Sequence, residues 1–345
     1  MSADLDNVIE CGGALILGAG VAGLYTALKL SPFPALVLAG SRPGASGSSP
    51  WAQGGIAAAV GAGDSWQSHA ADTIAAGAGT VDAGIAAMVA REASDCIHDL
   101  AALGVPFDRK ADGTLSVGRE AAHSHARIVH VSGDRAGAEV TRVLAERALA
   151  TRSISLLEGF HAIELAVEDG RVVGLFARYG SGPHTRLILF RAPAVVLATG
   201  GLGALYAVTT NPLESRGEGL GMAARAGAMI ADAEFVQFHP TALDTAENPL
   251  QLISEAVRGE GAVLLNEDGE RFMLKKHRLA ELAPRDVVAR EIFREKVGGR
   301  HVWLDARMLG PEFRKRFPGI FAICAARGID PSKDLIPVTP AAHYM

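Results

Sequence analysis

Two glycine-rich loops near the start of the chain have the residue types that bind phosphate groups. They are Gly18-Ala19-Gly20-Val21-Ala22-Gly23 and, about twenty-five residues later, Ser48-Ser49-Pro50-Trp51-Ala52-Gln53-Gly54-Gly55. In the first loop, Gly18 permits a tight turn, Gly20 lets the backbone approach a pyrophosphate, and Gly23 lets a helix pack on a strand. A second loop of small residues at this distance suits a cofactor long enough to need two binding loops. The pair therefore favours FAD over a nicotinamide nucleotide.

The segments around the first loop predict a βαβ unit. Ala14–Leu17 and Ala35–Leu38 are short apolar runs typical of buried parallel strands, and Val21–Leu30 has helical spacing. The acidic residue that commonly binds a ribose hydroxyl about 20 residues after such a loop is missing. The second strand runs into Ala39-Gly40-Ser41-Arg42 instead, and the next acid is Asp64. This departure disfavours a typical NAD site.

Further elements follow from hydrophobic spacing. Helices are predicted over about 82–103 and 136–150, and between them lies Gly118–Arg127, a run unusually dense in His and Arg for a connector. A buried strand over Ala194–Ala198 leads into the turn Thr199-Gly200-Gly201, which fits a second approach of backbone to a dinucleotide. The intervening strand-like runs are Ile154–Leu157, Ala162–Val167, Val172–Arg178 and Leu187–Phe190.

Composition narrows the class of protein. With 345 residues, 49% hydrophobic and 21% charged, the chain can bury a large core in two or three domains. A net charge of −5 without charge runs gives no basic surface for nucleic acid. Cys11, Cys96 and Cys324 lack the spacing of a disulfide framework or a metal site. Short apolar runs, and Asp4 and Asp6 near the N-terminus, predict a cytoplasmic protein without a membrane span or secretory signal.

A series of motifs, met in order along the chain, is similar to that of a known family. The chain resembles the flavoprotein family of fumarate reductases, succinate dehydrogenases and L-aspartate oxidases from about residue 12 onward, and within it the L-aspartate oxidases. The motifs are Gly18–Gly23, Trp51–Ala58, Gly118–Glu120, Ala198–Gly201, Thr210–Pro212, Gly217–Gly219, Phe238–Thr241, Glu255–Gly261, Leu282–Asp286 and Pro340–Tyr344.

The resemblance implies an α/β fold. It consists of a doubly wound, Rossmann-like FAD-binding domain over residues 1–236 and an inserted α+β capping domain over 237–345. In the family, the chain then returns to the FAD-binding domain and ends in a helical domain. The sequence stops at Met345, directly after the motif Pro340–Tyr344, so we expect the returning segment and the helical domain to be absent and the FAD-binding domain to be incomplete.

Two positions bear on subfamily. Membrane-bound members of the family have a histidine near the start of the second loop that bonds covalently to the flavin, and Ser48 stands at that position. The resemblance therefore implies non-covalent FAD. Glu120 falls where the L-aspartate oxidases place the carboxylate that orients the substrate ammonium group. The alternative is that Glu120 is a solvated loop acid paired with Arg119 or Arg127.

The resemblance also assigns residues to the substrate carboxylates, which need Arg, His and hydroxyl donors in one pocket. His239, Ser254, Arg285 and His343 match the family's positions. Ser254 replaces a threonine common in the family but keeps its hydroxyl. Arg285 is the family's acid or base, and Pro284 before it fits the start of a helix, with Asp286 as its partner or as a first-turn acid.

Other charges remain ambiguous. Glu218 stands where the family has an Asp near the flavin, and a simple helix N-terminal acid is the alternative. We interpret Glu255, Arg258 and Glu260 as structural charges around the pocket.

Three functions remain open. The resemblance implies FAD-dependent oxidation of L-aspartate to iminoaspartate in the de novo route to NAD, with oxygen or fumarate as electron acceptor and quinolinate synthase as a possible partner. The second is a soluble fumarate reductase or succinate-oxidising flavoprotein. The third is a fragment that folds or binds nucleotide without catalysis.

Overall fold

The structure is a computed structural model that describes residues 7–120 and 122–344. Asp4, Asp6, Ala121 and Met345 therefore lie outside the described residues. The strands are β1 (Val8–Glu10), β2 (Ala14–Leu17), β3 (Ala35–Ala39), β4 (Ile56–Ala57), β5 (Val117–Gly118), β6 (Ile128–Val129), β7 (Ile154–Glu158), β8 (Phe160–Glu168), β9 (Arg171–Tyr179), β10 (Arg186–Arg191), β11 (Ala194–Leu197), β12 (Gln237–Leu243), β13 (Val263–Asn266), β14 (Val302–Asp305) and β15 (Ile336–Tyr344).

The α-helices alternate with strands in the first part of the chain, as the hydrophobic spacing predicts. They are α1 (Val21–Leu30), α2 (Trp66–Ala76), α3 (Ala83–Leu103), α4 (Ala136–Ala150), α5 (Glu218–Arg225), α6 (Glu255–Gly259), α7 (Arg285–Val297), α8 (Glu312–Arg316) and α9 (Pro318–Ala325).

A parallel sheet forms the centre of the first part of the chain. Its strand order is β11-β2-β3-β7, and each neighbouring pair runs parallel. Successive residues of β2 point to opposite faces. Ile16 packs among helical residues such as Leu24 and Ile97, whereas Leu15 packs toward the second sheet. Burial of both faces explains why β2 and β3 are apolar at nearly every position.

The second sheet covers one face of the first. Its order is β1-β10-β9-β8, with antiparallel pairs along the β10-β9-β8 meander. Leu175 of β9 and Phe190 of β10 are fully buried in the cluster that contains Leu15. A small antiparallel sheet, β4-β6-β5, lies apart from these, and the segment between β5 and β6 carries Glu120.

The last part of the chain forms its own antiparallel sheet. The order is β12-β15-β14-β13, and β12 pairs with β15 along most of its length. Its main buried cluster draws only on residues between Leu243 and Val338, including residues of α7 and α9. A sheet and core of their own are what a separate capping domain needs, although the boundary between 236 and 237 stays a prediction.

Among the helices that the structure describes, none is both long enough and apolar enough to cross a bilayer.

Candidate active site

A cavity of about 620 Å³ lies between the second glycine-rich loop and the sheet that contains β12 and β15. All eight residues from Ser48 to Gly55 line it. The five residues that the sequence predicts for substrate contact line the same cavity, and they are Glu120, His239, Ser254, Arg285 and His343. These residues come from six separate stretches of the chain and line one cavity.

The first glycine-rich loop lies at the carboxyl end of β2. Since β3 and β11 lie on opposite sides of β2, this is the point where the strand order reverses and α/β sheets commonly bind ligands. Gly18 has φ of 109°, and a Cβ there would lie 2.2 Å from the Ala198 carbonyl oxygen. Helix α1 begins after Gly20 without a side-chain cap from that residue. This loop fits a pyrophosphate because its glycines let the backbone come close and it ends at a helix N-terminus.

The second loop is held against the first. The Val21 amide at the start of α1 donates to Ser49 Oγ at 3.1 Å. Gly137 lies so close that an added Cβ would be 2.2 Å from the Ser49 carbonyl oxygen. Gln53 Nε2 donates to the Leu252 carbonyl at 3.0 Å, while Gln53 Oε1 is buried with no partner among the described residues. An unpaired acceptor on the cavity wall fits the N–H group of a bound ring.

The remaining predicted cofactor residues lie beside the parallel sheet rather than on the cavity wall. Thr199, Gly200 and Gly201 follow β11, and Gly200 has φ of 73°. Helix α5 packs on this turn, since a Cβ on Gly219 would lie 2.0 Å from Thr199 Oγ1. Glu218 is an exposed residue in the first turn of α5 and does not line the cavity. Its contact with a flavin stays a prediction.

Ser48 lies at the entrance of the second loop. Its Oγ is 3.3 Å from Ser215 Oγ. A serine hydroxyl has no reactive ring nitrogen, so the structure offers no covalent flavin attachment at this position. Non-covalent binding stays a prediction.

Glu120 is not a solvated acid. Its Oε1 is buried without a hydrogen-bond partner among the described residues. Burial raises the pKa of its carboxyl group, and the neighbouring Glu255 adds to the effect, against the opposing charges of Arg285 and Arg258. Arg127 is bonded to Asp64 and Asp72, and Arg119 donates to the His123 carbonyl. The alternative pairing of Glu120 with either arginine is therefore wrong.

Arg285 begins helix α7 after Pro284, as predicted. Its Nε donates to the Glu255 carboxylate, and its Nη1 donates to Gln237 Oε1 at 2.9 Å. Asp286 is bonded instead to Arg290, one turn along the helix, which leaves it the role of a first-turn acid. The two bonds to Arg285 hold its guanidinium at the cavity wall with donors still free for an anion.

Glu255 and Arg258 lie behind Arg285. Arg258 Nη2 is 3.9 Å from Glu255 Oε2, and both side chains are buried. Burial lowers the pKa of Arg258 even though Glu255 opposes the shift. Glu255 contacts Arg285 directly, so it lies closer to the chemistry than a purely structural interpretation implies.

His239 and His343 stand on neighbouring strands, β12 and β15. Burial lowers the pKa of His239 well below its usual value, and the neighbouring His343 and Arg285 lower it further. Burial, and secondarily Arg285, lowers the pKa of His343 to about 4. Both rings are therefore neutral at neutral pH and can donate one hydrogen bond each without adding charge.

Ser254 precedes α6 and accepts the Ala256 amide at 3.3 Å. Its hydroxyl hydrogen remains free for an acceptor in the cavity. The side chain thus caps a helix and faces the substrate space at once.

The residue pattern alone did not single out three further polar residues that bond residues of the site. Thr210 Oγ1 is 2.7 Å from His343 Nδ1, Asn211 Nδ2 donates to the His343 carbonyl at 2.6 Å, and Gln237 bonds Arg285. Thr210 and Asn211 belong to a motif of the family resemblance, which was the available signal. Gln237 had none, because its partner lies 48 positions away in the chain.

Among residues 7–120 and 122–344, His, Cys, Asp and Glu form no group with the geometry to hold a metal ion.

The similarity of this chain to known proteins agrees with the geometry of the site. A family model described as FAD binding domain matches residues 13–345. The chain is 51% identical over 346 residues to an L-aspartate oxidase of Mesorhizobium japonicum, covering 100% of this chain and 66% of that protein. It is 52% identical to an L-aspartate oxidase of Caulobacter vibrioides, covering 96% of this chain and 65% of that protein. The chain thus spans slightly less than two thirds of these relatives.

Solved structures show the same fold. Quinol fumarate reductase FrdA of E. coli superposes with a TM-score of 0.90 at 31% identity, over 98% of this chain and 61% of that one. The predicted fold class is confirmed, and the family match confirms FAD as the cofactor of this domain.

Proposed function

The chain belongs to the FAD-binding domain family, and from that premise we propose that its protein oxidises L-aspartate to iminoaspartate. One observation carries the proposal. Glu120, whose Oε1 is buried with no partner among the described residues, shares a cavity with Arg285 and with neutral histidine and hydroxyl donors. A dicarboxylate that also bears an ammonium group satisfies both kinds of partner, because each of its charges meets the opposite charge or a donor.

The donors divide between the substrate's two ends. Arg285 supplies positive charge for a carboxylate, while His239, His343 and Ser254 supply hydrogen bonds without charge. Glu120 binds the ammonium group, and its raised pKa favours acceptance of the proton that the ammonium loses. A nitrogen-free dicarboxylate has no ammonium group to place beside Glu120, so the substrate would leave that carboxylate without a cationic partner of its own.

The reaction balances with these groups. The substrate ammonium loses a proton, a hydride leaves Cα, and the carbon–nitrogen bond becomes the double bond of iminoaspartate. Gly18–Gly23 and Ser48–Gly55 would hold FAD, which would supply the acceptor for that hydride. Oxygen or fumarate would then take the electrons. With fumarate as acceptor, we propose that Arg285 supplies the proton to its Cβ, with Glu255 holding the guanidinium in place.

We also propose a place for the reaction in the cell. Iminoaspartate would feed the de novo route to NAD in the cytoplasm, with quinolinate synthase as the consuming enzyme. A coupled assay in which quinolinate synthase draws iminoaspartate from this protein tests that part.

The test compares two reductants without oxygen. Purified protein loaded with FAD is mixed with L-aspartate or with succinate, and flavin absorbance is followed. We expect L-aspartate to bleach the flavin and succinate to do so far more slowly. Bleaching by succinate alone would identify a soluble fumarate reductase or succinate-oxidising flavoprotein instead. A protein that holds FAD and responds to neither would support a non-catalytic fragment.

The second test concerns Arg285. Arg285→Met should abolish fumarate reduction under anaerobic conditions while the protein keeps its flavin. If the variant reduced fumarate as fast as the parent, the proton-donor role would be wrong.

A further inference from the structure

Of the described residues in the histidine- and arginine-rich run Gly118–Arg127, Glu120 alone lines the cavity. The run ends at Arg127, whose side chain is fully buried and contacts His123 of the same run. We propose that Arg127 is a positioning residue that fixes Glu120 for the ammonium group of the substrate. The inference rests on the proposed function, in which Glu120 distinguishes an amino dicarboxylate from one without nitrogen.

Arg127 is the centre of a buried ionic cluster. Its Nε and Nη2 each donate to one oxygen of Asp64 at 2.9 Å, and its Nη1 donates to Asp72 at 2.6 Å. Asp64 precedes α2, while Asp72 and Ser68, which accepts from Nη2 at 3.2 Å, lie on that helix. A guanidinium bonded in two directions fixes the orientation of the strand segment that carries it.

The same cluster reaches back toward Glu120. Asp72 Oδ2 also accepts the Ser124 amide and the Ser124 hydroxyl, each at 2.8 Å. Arg127 Nη1 is 3.3 Å from His123 Nδ1, and Arg119 donates to the His123 carbonyl at 2.9 Å. One carboxylate therefore joins Arg127 to the segment between β5 and β6.

The backbone beside Glu120 needs such support. Ala122 has φ of 66°, a left-handed conformation that residues other than glycine rarely adopt. Conformations of this kind are strained and persist only where the surroundings hold them. Glu120 itself has no such anchor, because its buried Oε1 has no partner among the described residues. The anchor of the segment is thus the Arg127 cluster.

The opposite side of the cavity is held independently. Arg285 is fixed by Glu255 and Gln237, which belong to other elements than the Arg127 cluster. Disturbing Arg127 should therefore weaken contact with the ammonium group while contacts to the carboxylates remain. A merely structural role would weaken both.

The principal variant is Arg127→Lys, which keeps the charge but cannot form the two-directional set of bonds. Its matched control is Arg142→Lys, since Arg142 also bonds two carboxylates, Glu139 and Glu146, but on an exposed face of α4. Ser124→Ala is the milder second variant, because it removes a single exposed hydroxyl and leaves the buried cluster in place.

The readouts are ligand selectivity and local hydrogen exchange. An apparent dissociation constant for L-aspartate is taken from the concentration dependence of anaerobic flavin bleaching, and the constant for succinate is taken from flavin difference spectra. Amide exchange is followed across 117–129. We expect Arg127→Lys to weaken the binding of L-aspartate about tenfold and to change the binding of succinate by no more than about twofold. Amide exchange across 117–129 should become faster. Ser124→Ala should shift the ratio in the same direction by a smaller factor, and Arg142→Lys should not shift it.

Results that contradict the role of Arg127 differ from results that contradict the proposed function. An unchanged ratio of the two constants in both Arg127→Lys and Ser124→Ala, or equal weakening of both ligands, would overturn the positioning role. If Arg127→Lys fails to fold, Ser124→Ala decides alone. Glu120→Gln is measured beside them: if it leaves the ratio unchanged, the assignment of Glu120, and with it the proposed function, is what has failed.

Discussion

The rings of His239 and His343 meet edge to face, with centroids 5.1 Å apart and planes inclined at 66°. Their strands, β12 and β15, are antiparallel neighbours, so the sheet itself sets this contact. Arg285 lies close enough to lower the pKa of both rings, and Thr210 bonds His343 Nδ1. Two neutral donors beside one cation give the carboxylate side of the cavity its chemistry.

This arrangement makes stability depend on pH. The pKa of His343 is about 4 in the folded protein, against about 6.5 for an unperturbed histidine. Between these values the unfolded chain binds a proton that the folded chain does not, so the free energy of unfolding falls as the pH is lowered. Each such histidine contributes at most about 1.4 kcal/mol per pH unit. Denaturant unfolding between pH 7 and 4 measures this slope.

The variant for that measurement is His343→Asn, which should flatten the slope. His184→Asn is the control, since His184 is exposed. An unchanged slope in His343→Asn would show that His343 does not stay neutral in the folded protein.

Glu120→Gln should gain stability and lose selectivity. The parent buries a carboxylate whose raised pKa means that its charged form is disfavoured by folding. Its stability therefore falls as the pH rises from the unfolded value, about 4.3, through the raised folded value. Glutamine removes that penalty, so we expect a gain of roughly 1 kcal/mol at neutral pH in the ligand-free protein. Thermal unfolding of the two proteins at pH 7 and at pH 4 measures it.

The same variant should bind L-aspartate at least about tenfold more weakly, since a hydrogen bond to a charged group is worth about 1.5–3 kcal/mol. Succinate should bind as well as before or better. Tighter binding of L-aspartate by the variant would be incompatible with an ammonium contact at Glu120.

Glu255→Gln should slow turnover more than it weakens substrate binding. Glu255 bonds Arg285 Nε, and among the described residues Gln237 is the remaining hydrogen-bond partner of the guanidinium once that carboxylate is lost. We expect kcat to fall by about tenfold or more, because misplacement of a group at the reacting centre is costly. Steady-state kinetics separate kcat from KM. Asp286→Asn is the control, because Asp286 adjoins Arg285 in sequence but bonds the exposed Arg290. Equal effects of the two variants would mean that the Glu255 contact has no special role.

Gly18→Ala should impair FAD retention. A Cβ at this position would lie 2.2 Å from the Ala198 carbonyl oxygen, and φ of 109° is unfavourable for alanine. The turn at the carboxyl end of β2 must then shift, which displaces the start of α1. Gly12→Ala is the control, since a Cβ there meets nothing within 4 Å. The flavin-to-protein absorbance ratio after gel filtration measures retention, and full retention by Gly18→Ala would refute the tight-turn argument.

Local elements could be predicted well because short-range forces set them. Helix α1 and strand β2 have the predicted bounds, and β3 extends one residue further to Ala39. Helix α4 likewise spans Ala136–Ala150, as expected from its apolar spacing. Buried parallel strands and amphipathic helices leave a clear pattern in the sequence, since burial selects the residue type at each position.

The partners of charged residues could not be predicted in the same way. Asp286 adjoins Arg285, yet Arg285 bonds Glu255 and Gln237 instead. Arg127 lies seven positions from Glu120, yet it bonds Asp64 and Asp72 on another element. Ion pairs depend on where side chains lie after the chain has packed, and neighbouring positions in sequence often face different ways.

The sequence by itself determined the two glycine-rich loops, the βαβ unit and the residue types available for chemistry, because turns and hydrophobic periodicity are local properties. Only the tertiary structure decided that Glu120, Ser254, Arg285 and the two histidines line one cavity. It also decided that Glu120 Oε1 is buried with no partner in the described part of the chain, while Arg127 bonds two carboxylates. The physical reason is that burial and pairing set the energy of a charge, and both come from residues distant in the chain.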